Sequence, residues 1–406
     1  MANDITRSPL LLGALWITIA SSFLVRFDPA PYDVLAIGLL VISYAAGLRL
    51  PRGFGIGLGF LALFVIANLL AGALSPEPQT TLGYIGITFY LLATWLFFTS
   101  LVCNDPEWTV KIIWSGYLTA ALFAVALGSA AWYGLIPGAE IFLYEGRASG
   151  GLRDANVFGA FLVPATVYAT SELERGPRRA LFALPVVLVL GFGILLSFSR
   201  GAWLNLAVAL LIYYALRAKT ARSVRDLGNG MVVGIALALA AIAALLGALT
   251  TPGIADLFAE RAHVVQYYDT GDAGRFAVWK IVLEAAFQHP FGIGPGRSAE
   301  VFNAEAHNLY LHVLVETGWL GAIGLSGFLL AGLWRGLRLA LGGNPVPAWY
   351  LAVVASVAGT LVENLFVHGT HWRHFYLLLA MLWAPALHQS AAYSFRPPVR
   401  TGQSGL

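Results

Sequence analysis

Charge is what this chain lacks. Only 11% of its 406 residues are Asp, Glu, Lys or Arg, whereas 58% are hydrophobic. A soluble domain of that size needs far more charge, so the composition excludes one and indicates an all-α, polytopic integral membrane protein. Cysteine is almost absent too. Cys103 alone excludes an intrachain disulfide and any cysteine-rich metal site, and it reads as a small residue at a helix end. A dinucleotide fingerprint is also missing. The glycine turn His289-Pro290-Phe291-Gly292-Ile293-Gly294-Pro295-Gly296 has no strand before it and no βαβ unit around it. It reads instead as a tight turn that steers the chain toward His307. The N-terminus has only Arg7 ahead of its first apolar run and no clear cleavage site, so that run reads as a retained span. A net charge of +3 is too small to identify partners, and no internal repeat or low-complexity segment stands out.

Long apolar runs are plentiful. They fall near 10–25, 34–48, 54–74, 83–102, 110–133, 157–173, 180–198, 202–216, 231–250, 318–340, 348–367 and 375–388, which predicts about twelve membrane spans. Fifteen of the 24 basic residues, among them Arg49, Arg52, Arg175, Arg179, Arg217 and Arg335, belong to connections on one side. Of the other nine, four lie in one long connection, 251–306. With that loop set aside the bias is fifteen to five, which puts this side and both termini in the cytoplasm. Four polar segments then share the outer face: 134–156, the turn 197–200, the loop 251–306 between spans nine and ten, and 368–374. Residues 1–393 read as one transmembrane domain, and 394–406 as a disordered cytoplasmic tail. A loop longer than about 15 residues in a compact protein is usually functional or disordered. Its apolar positions from Val278 to Phe287 suit an amphipathic helix on the membrane or over a cavity, which favours function.

Polar residues at these boundaries are costly to keep unless they act on something. The run Ala306-His307-Asn308-Leu309-Tyr310 places a histidine and an asparagine where the long loop re-enters an apolar helix. Histidine is the usual proton-transfer group near neutral pH, so His307 could take a proton from a hydroxyl or orient it; a structural histidine is the alternative. Arg200, in Ser199-Arg200-Gly201, interrupts two adjoining spans. It is either an interfacial arginine snorkelling to headgroups or a bidentate clamp for phosphate oxygens. Arg275 follows Thr270-Gly271-Asp272-Ala273-Gly274 and opens the amphipathic helix, as a solvated charge or a second phosphate ligand. Arg147, Arg153, Asp154 and Asn156 form a further polar cluster, with Asp154 or Asn156 as a candidate helix cap. His312 and Glu316, four apart on one helix face, either satisfy each other or act together, and Glu363 inside a span is equally open. His368, His371 and His374 have a metal-like spacing, but no carboxylate or cysteine accompanies them in sequence. Interfacial hydrogen bonding is the expectation there. Asp269 and Asp272 are a weak metal signal, and no metal or other cofactor is expected.

In their order along 145–325 these segments resemble the O-antigen ligase/polymerase superfamily of bacterial envelope glycosyltransferases. The resemblance rests on Gly151 to Asn156 with Gly159, Ser199-Arg200-Gly201, Arg275 with Trp279, Pro290 with Gly292 and Gly294, and His307-Asn308. The ligase pattern of a histidine, a small polar residue, nine spacers, a glycine, two spacers and a small residue fits His307-Asn308 through Gly318 and Gly321. The first four spans carry no such motif.

The resemblance implies a GT-C-like membrane fold in the bacterial inner membrane. Its donor would be a glycan on undecaprenyl diphosphate, its acceptor a hydroxyl of lipid A–core or another glycan, and no nucleic acid would be involved. It implies that Arg200 and Arg275 bind the diphosphate as it leaves and that His307 activates or orients the acceptor, with inversion and without metal. Asn308, Arg147, Arg153, Asp154 and Asn156 would line the substrate site. A polymerase joining repeat units is the nearest alternative, and a protein O-glycosyltransferase a further relative. A transporter is the alternative from another class. It should show ionisable groups near the midplane, broken helices and repeated halves, whereas here most polar groups gather on one face.

Overall fold

The computed structural model describes residues 8–221, 274–303, 305–343 and 345–388, with isolated positions between 223 and 259. Most of the ninth expected span, the loop up to Ala273 with Asp269 and Asp272, and the tail 394–406 lie outside the described residues. The rest is all-helical apart from a two-residue hairpin pair, Leu143–Tyr144 with Arg147–Ala148. The helices are α1 Pro9–Ala20, α2 Pro31–Ala45, α3 Ile56–Ala73, α4 Pro78–Asn104, α5 Pro106–Trp132, α6 Ala155–Leu173 and α7 Pro177–Leu196. They continue as α8 Arg200–Thr220, α9 Arg275–Gln288, α10 Ser298–Phe302, α11 Leu309–Leu341, α12 Ala348–Glu363 and α13 Arg373–His388.

Proline stands in the first turn of α1, α2, α4, α5 and α7, where its missing N–H costs nothing. Asp105, Asp154, Ser199 and Asn308 cap α5, α6, α8 and α11 by accepting from backbone N–H groups of the first turn. Three of these, Asp154, Ser199 and Asn308, are polar residues noted in the sequence that serve as helix punctuation.

Six helices, α3, α4, α5, α7, α8 and α11, are long and apolar enough to cross a membrane. The expected twelve are not reached among the described residues. The 12 residues of α1 rise only about 18 Å against a hydrocarbon core of about 30 Å, because the helix stops at Ala20 where serines turn the chain. Helices α2 and α12, with 15 and 16 residues, are also short apolar helices. Conversely, α11 begins nine residues before the expected 318 and continues through a kink at Gly318.

Helices α6, α12 and α13 run through the middle, their side chains buried on nearly every face. Around them α11 packs on α3, α8 on α12, α7 on α6, and α4 on α13. Glycines let α11 lie close to its neighbours: a Cβ at Gly324 would strike the backbone of Phe64, and one at Gly332 the indole of Trp383. At one end of this bundle Arg217 pairs with Glu174 at 2.6 Å, Asn104 bonds the Arg49 carbonyl, and Arg335 bonds the carbonyls of Gly53 and Phe54. These arginines all come from the side that the charge bias set apart. The starts of α6, α8, α9 and α11 meet at the opposite end.

Candidate functional site

The turn that follows α12 organises that end. Glu363 lies against Gly201 at the start of α8, close enough that a Cβ on Gly201 would sit 3.3 Å from Glu363 Oε1. The carbonyl of Asn364 accepts the N–H of Leu309, the first residue of α11, at 2.8 Å. Asn308 Nδ2 donates to the Leu365 carbonyl at 3.0 Å. The ring of Phe366 lies 6.3 Å from that of Trp279 on α9. Finally, His368 Nδ1 sits 3.5 Å from Glu305 Oε2. Five residues of the stretch 363–368 thereby meet the starts of α8 and α11, the Trp279 face of α9 and Glu305.

His307 emerges from this arrangement half-exposed, with a backbone φ of 43°. That left-handed conformation is sparsely populated for a residue with a Cβ and persists only when its surroundings enforce it. They do so on both sides. Trp279 Nε1 donates to the Ala306 carbonyl at 2.6 Å, and Asn308 is fixed by its cap to Tyr310 N and Leu311 N and by its bond to Leu365. Phe198, one residue before the Ser199 cap of α8, has the same backbone strain at φ 46°.

Arg275 is the first residue of α9, and Trp279 follows one turn later on the same face. Val278 and Val282 pack with Ile293, Ala306 and Val315, so a helix stands where one was expected and docks on the protein, but it is not amphipathic: Phe276, Ile281, Leu283 and Phe287 on its outer face are apolar and exposed. Arg275 and Asp154 both act on the imidazole of His307. Burial holds this histidine below its ordinary value; Glu305 opposes that shift, Arg275 reinforces it, and Asp154 opposes it. Arg200 opens α8 beside the Glu363 turn. The Trp279 latch therefore holds the helix of Arg275 against the residue before His307, whose imidazole feels the charges of Arg275 and Asp154, and Arg200 lies next to the Gly201–Glu363 contact.

The remaining candidates are committed elsewhere. Arg153 forms a bidentate pair with Asp28 at 2.6 Å and bonds the Val25 carbonyl. Arg147 is buried, stacks on Tyr144 and pairs with Glu145 at 3.4 Å. Asp154 caps α6 through Asn156 N and Val157 N, and the amide of Asn308 is consumed by capping and by Leu365.

Beneath the site lies a buried polar array. His312 Nε2 is 3.3 Å from Glu316 Oε2 and 2.8 Å from the Tyr84 hydroxyl, while its Nδ1 faces Ser298 Oγ at 3.2 Å. Glu316 accepts from Gly296 N, Ser298 N and Ser298 Oγ. It thereby clamps the glycine turn onto α11 just before the Gly318 kink. Gly318 has φ 70°, and its Cα faces the backbone of Pro290 and Phe291. Gly292, with φ 90°, faces the carbonyl of Glu316. A side chain at either position would collide with main chain, which explains why the motif needs glycine there.

The sequence reading missed Glu305, Tyr84 and Asp33. It also found no carboxylate near the 368–374 histidines, which the fold corrects: Glu305 reaches His368 from the segment that leads into α11. Glu305, His307 and His368 each offer one ligand atom, all within 4.8 Å of one another, and could hold a metal ion. His371 bonds Thr88 at 3.0 Å, and His374 stacks on Trp372. Burial lowers His368 and His371 to about 3, with the proximity of His312 as the next cause in each, so both stay neutral.

Apolar helices and a polar site built from helix ends define a multi-pass membrane protein. Residues 185–326, from α7 to the middle of α11, match the family model described as O-antigen ligase. The match supports O-antigen ligase/polymerase-type function and covers Arg200, Arg275 and His307. No curated protein matches the chain.

Proposed function

We propose that this protein transfers a saccharide from undecaprenyl diphosphate to an acceptor hydroxyl on the periplasmic side of the bacterial inner membrane, as an inverting, metal-independent, ligase-type enzyme. The observation that carries this reading is the latch of Trp279 onto Ala306, which sets Arg275 and His307 in one unit inside the matched region. A diphosphate leaving group gains charge as its bond breaks, and preorganised guanidinium groups stabilise charge where it develops. Arg275 and Arg200 take that role. The acceptor oxygen attacks the anomeric carbon from the face opposite the diphosphate. Its proton passes to His307, the carbon–oxygen bond to the diphosphate breaks, and the electron pair leaves with undecaprenyl diphosphate. A neutral His307 is the form that accepts a proton, and burial favours that form.

The spacing from His307-Asn308 to Gly318 and Gly321 favours a ligase, with lipid A–core or another glycan as acceptor, over a polymerase that joins repeat units. The test removes the protein from its host and analyses the envelope polysaccharide. Loss of long chains from their anchor, with lipid-linked polymer accumulating, is the expected result. A single repeat unit on the anchor indicates a polymerase, and unchanged glycan with altered solute uptake indicates a transporter. His307→Ala, Arg200→Ala and Arg275→Ala should each abolish transfer while the protein still inserts. Normal capped glycan in the His307→Ala strain would sink the mechanism.

A further inference from the structure

We propose that Glu305, His307 and His368 form a binding site for a divalent transition-metal ion of the zinc type, and that an ion bound there acts as a brake on glycan transfer. The braking half of the proposal rests on the transfer reaction above, in which His307 meets the acceptor; the site itself does not.

The donor atoms are already gathered. Glu305 Oε2 lies 3.5 Å from His368 Nδ1 and 4.0 Å from His307 Nδ1, and the ligand atoms of the three residues all fall within 4.8 Å of one another. A tetrahedral zinc ion with bonds of about 2.0–2.2 Å holds its ligands about 3.4 Å apart. One edge of the triangle is therefore close to its bound length, and side-chain rotation has only to shorten the others. Two imidazoles and a carboxylate leave a fourth position open. This mixed nitrogen and oxygen set suits zinc better than magnesium or calcium, which take oxygen ligands.

His368 carries the argument furthest. Its Nδ1 is buried yet makes no hydrogen bond among the described residues, a costly state for a polar nitrogen. Stacking holds the ring instead: it lies on His312 with centroids 4.6 Å apart and planes at 19°, and His312 is pinned by the Tyr84 hydroxyl and Ser298 Oγ. Across the triangle, the backbone of His307 is set by the Trp279 latch and the Asn308 cap. Both imidazoles thus sit on fixed supports, which is what a ligand set needs in order to bind without reordering. The way in is open, because the side chains of His307 and Glu305 are 51% and 42% exposed. Of the charged side chains that act on His307, Glu305 and Asp154 attract a cation and Arg275 repels it, so the carboxylates are in excess. The brake follows from the ring itself. A neutral imidazole that gives Nδ1 to a metal carries its proton on Nε2, so neither nitrogen keeps a lone pair for the acceptor hydroxyl.

The experiment uses tag-free, full-length protein in liposomes, stripped of metal by a chelator, with zinc ion as the probe. Isothermal titration should show one saturable zinc site per chain that magnesium ion does not fill. His368→Ala and Glu305→Gln should each weaken zinc binding by more than the roughly 10–100-fold typical of losing an outer-shell partner. The exposed His289, changed to Ala, is the control and should leave binding unchanged. With undecaprenyl diphosphate-linked glycan as donor, zinc should inhibit transfer over the same concentrations at which it binds, and the chelator should restore the rate. Absence of a saturable site in the unaltered protein, or full affinity in both His368→Ala and Glu305→Gln, overturns the proposal. Zinc that fills the site and leaves the rate unchanged overturns the brake. A stripped protein that transfers only when zinc is returned overturns both the brake and the metal-independent reaction. Activity in His307→Ala, together with weakened zinc binding, overturns the transfer mechanism and leaves the metal site standing.

Discussion

Asp33 and Arg373, 340 positions apart, share two hydrogen bonds: Nε donates to Oδ1 at 2.6 Å and Nη2 to Oδ2. Tyr90 adds a third donor to the same carboxylate at 2.9 Å. This pair ties the first turn of α2 to the start of α13, next to the histidine turn. Both side chains are mostly buried, at 16% and 17% exposure, so removing either partner strands a charge. Arg373→Ala should therefore destabilise the protein by about 3 kcal/mol. Melting in detergent checks this, and the double variant Asp33→Leu/Arg373→Met should recover much of the loss.

Gly318 offers a sharper test of the backbone. An alanine there keeps the apolar character of the helix but needs φ 70° and meets the Pro290 carbonyl. Gly318→Ala should cost on the order of 3 kcal/mol and displace the turn that carries Gly292 to Gly296. Thermal melting measures the first effect, and loss of transfer at a temperature where the variant remains folded measures the second. Gly59→Ala in α3, where nothing lies within 4 Å of the added methyl, is the control and should be near neutral.

Arg275→Lys keeps the charge and removes the planar fork. If this side chain grips the diphosphate bidentately, kcat/KM for the donor should fall on the order of 100-fold. A variant with near-normal kcat/KM would argue that only its charge matters.

The histidines set an acid limit on stability. His368 and His371 accept a proton only near pH 3 in the folded protein, against 6.5 for an ordinary histidine. Between these values the unfolded chain binds more protons, so stability is full above pH 6.5 and declines as pH falls toward 3. The slope is at most about 1.4 kcal/mol per pH unit for each histidine. Melting temperature in liposomes between pH 7 and pH 4 checks the sign. The His371→Gln variant should show a shallower decline.

The reaction should show a related but separate dependence. With neutral His307 as the proposed base, and with burial lowering its proton affinity, kcat/KM should hold as pH drops through 6.5 and fall only below it. A half-maximal point above 6.5 would exclude His307 in that environment as the titrating base.

Much of this site was legible because its spacing is local. His307-Asn308 with Gly318 and Gly321 lies on one stretch of chain, and Arg275 with Trp279 occupies one helix face, so sequence separation alone carries the geometry. Glu305 was hidden even though it is only two residues from His307. Its meaning comes from His368, which reaches it through a turn far along the chain. Asn308, which the resemblance puts at the substrate site, spends its amide on the cap and on Leu365, a commitment no spacing reveals. Span boundaries moved for a different reason. Hydropathy sees apolar length but not where backbone hydrogen bonding stops, as at Ala20, or continues through a kink, as at Gly318.

The latch of Trp279 onto Ala306 has a kinetic consequence. Arg275 belongs to the same helix as Trp279, and His307 is the next residue after Ala306, so the proposed donor cation and the proposed acceptor base cannot be adjusted separately. Any shift of α9 changes both half-sites at once, and Trp279→Phe, which loses only the indole donor, should raise the KM of donor and acceptor together. Such a protein would evolve new acceptors through the 363–368 turn more readily than through α9, because that turn meets the base without carrying the cation.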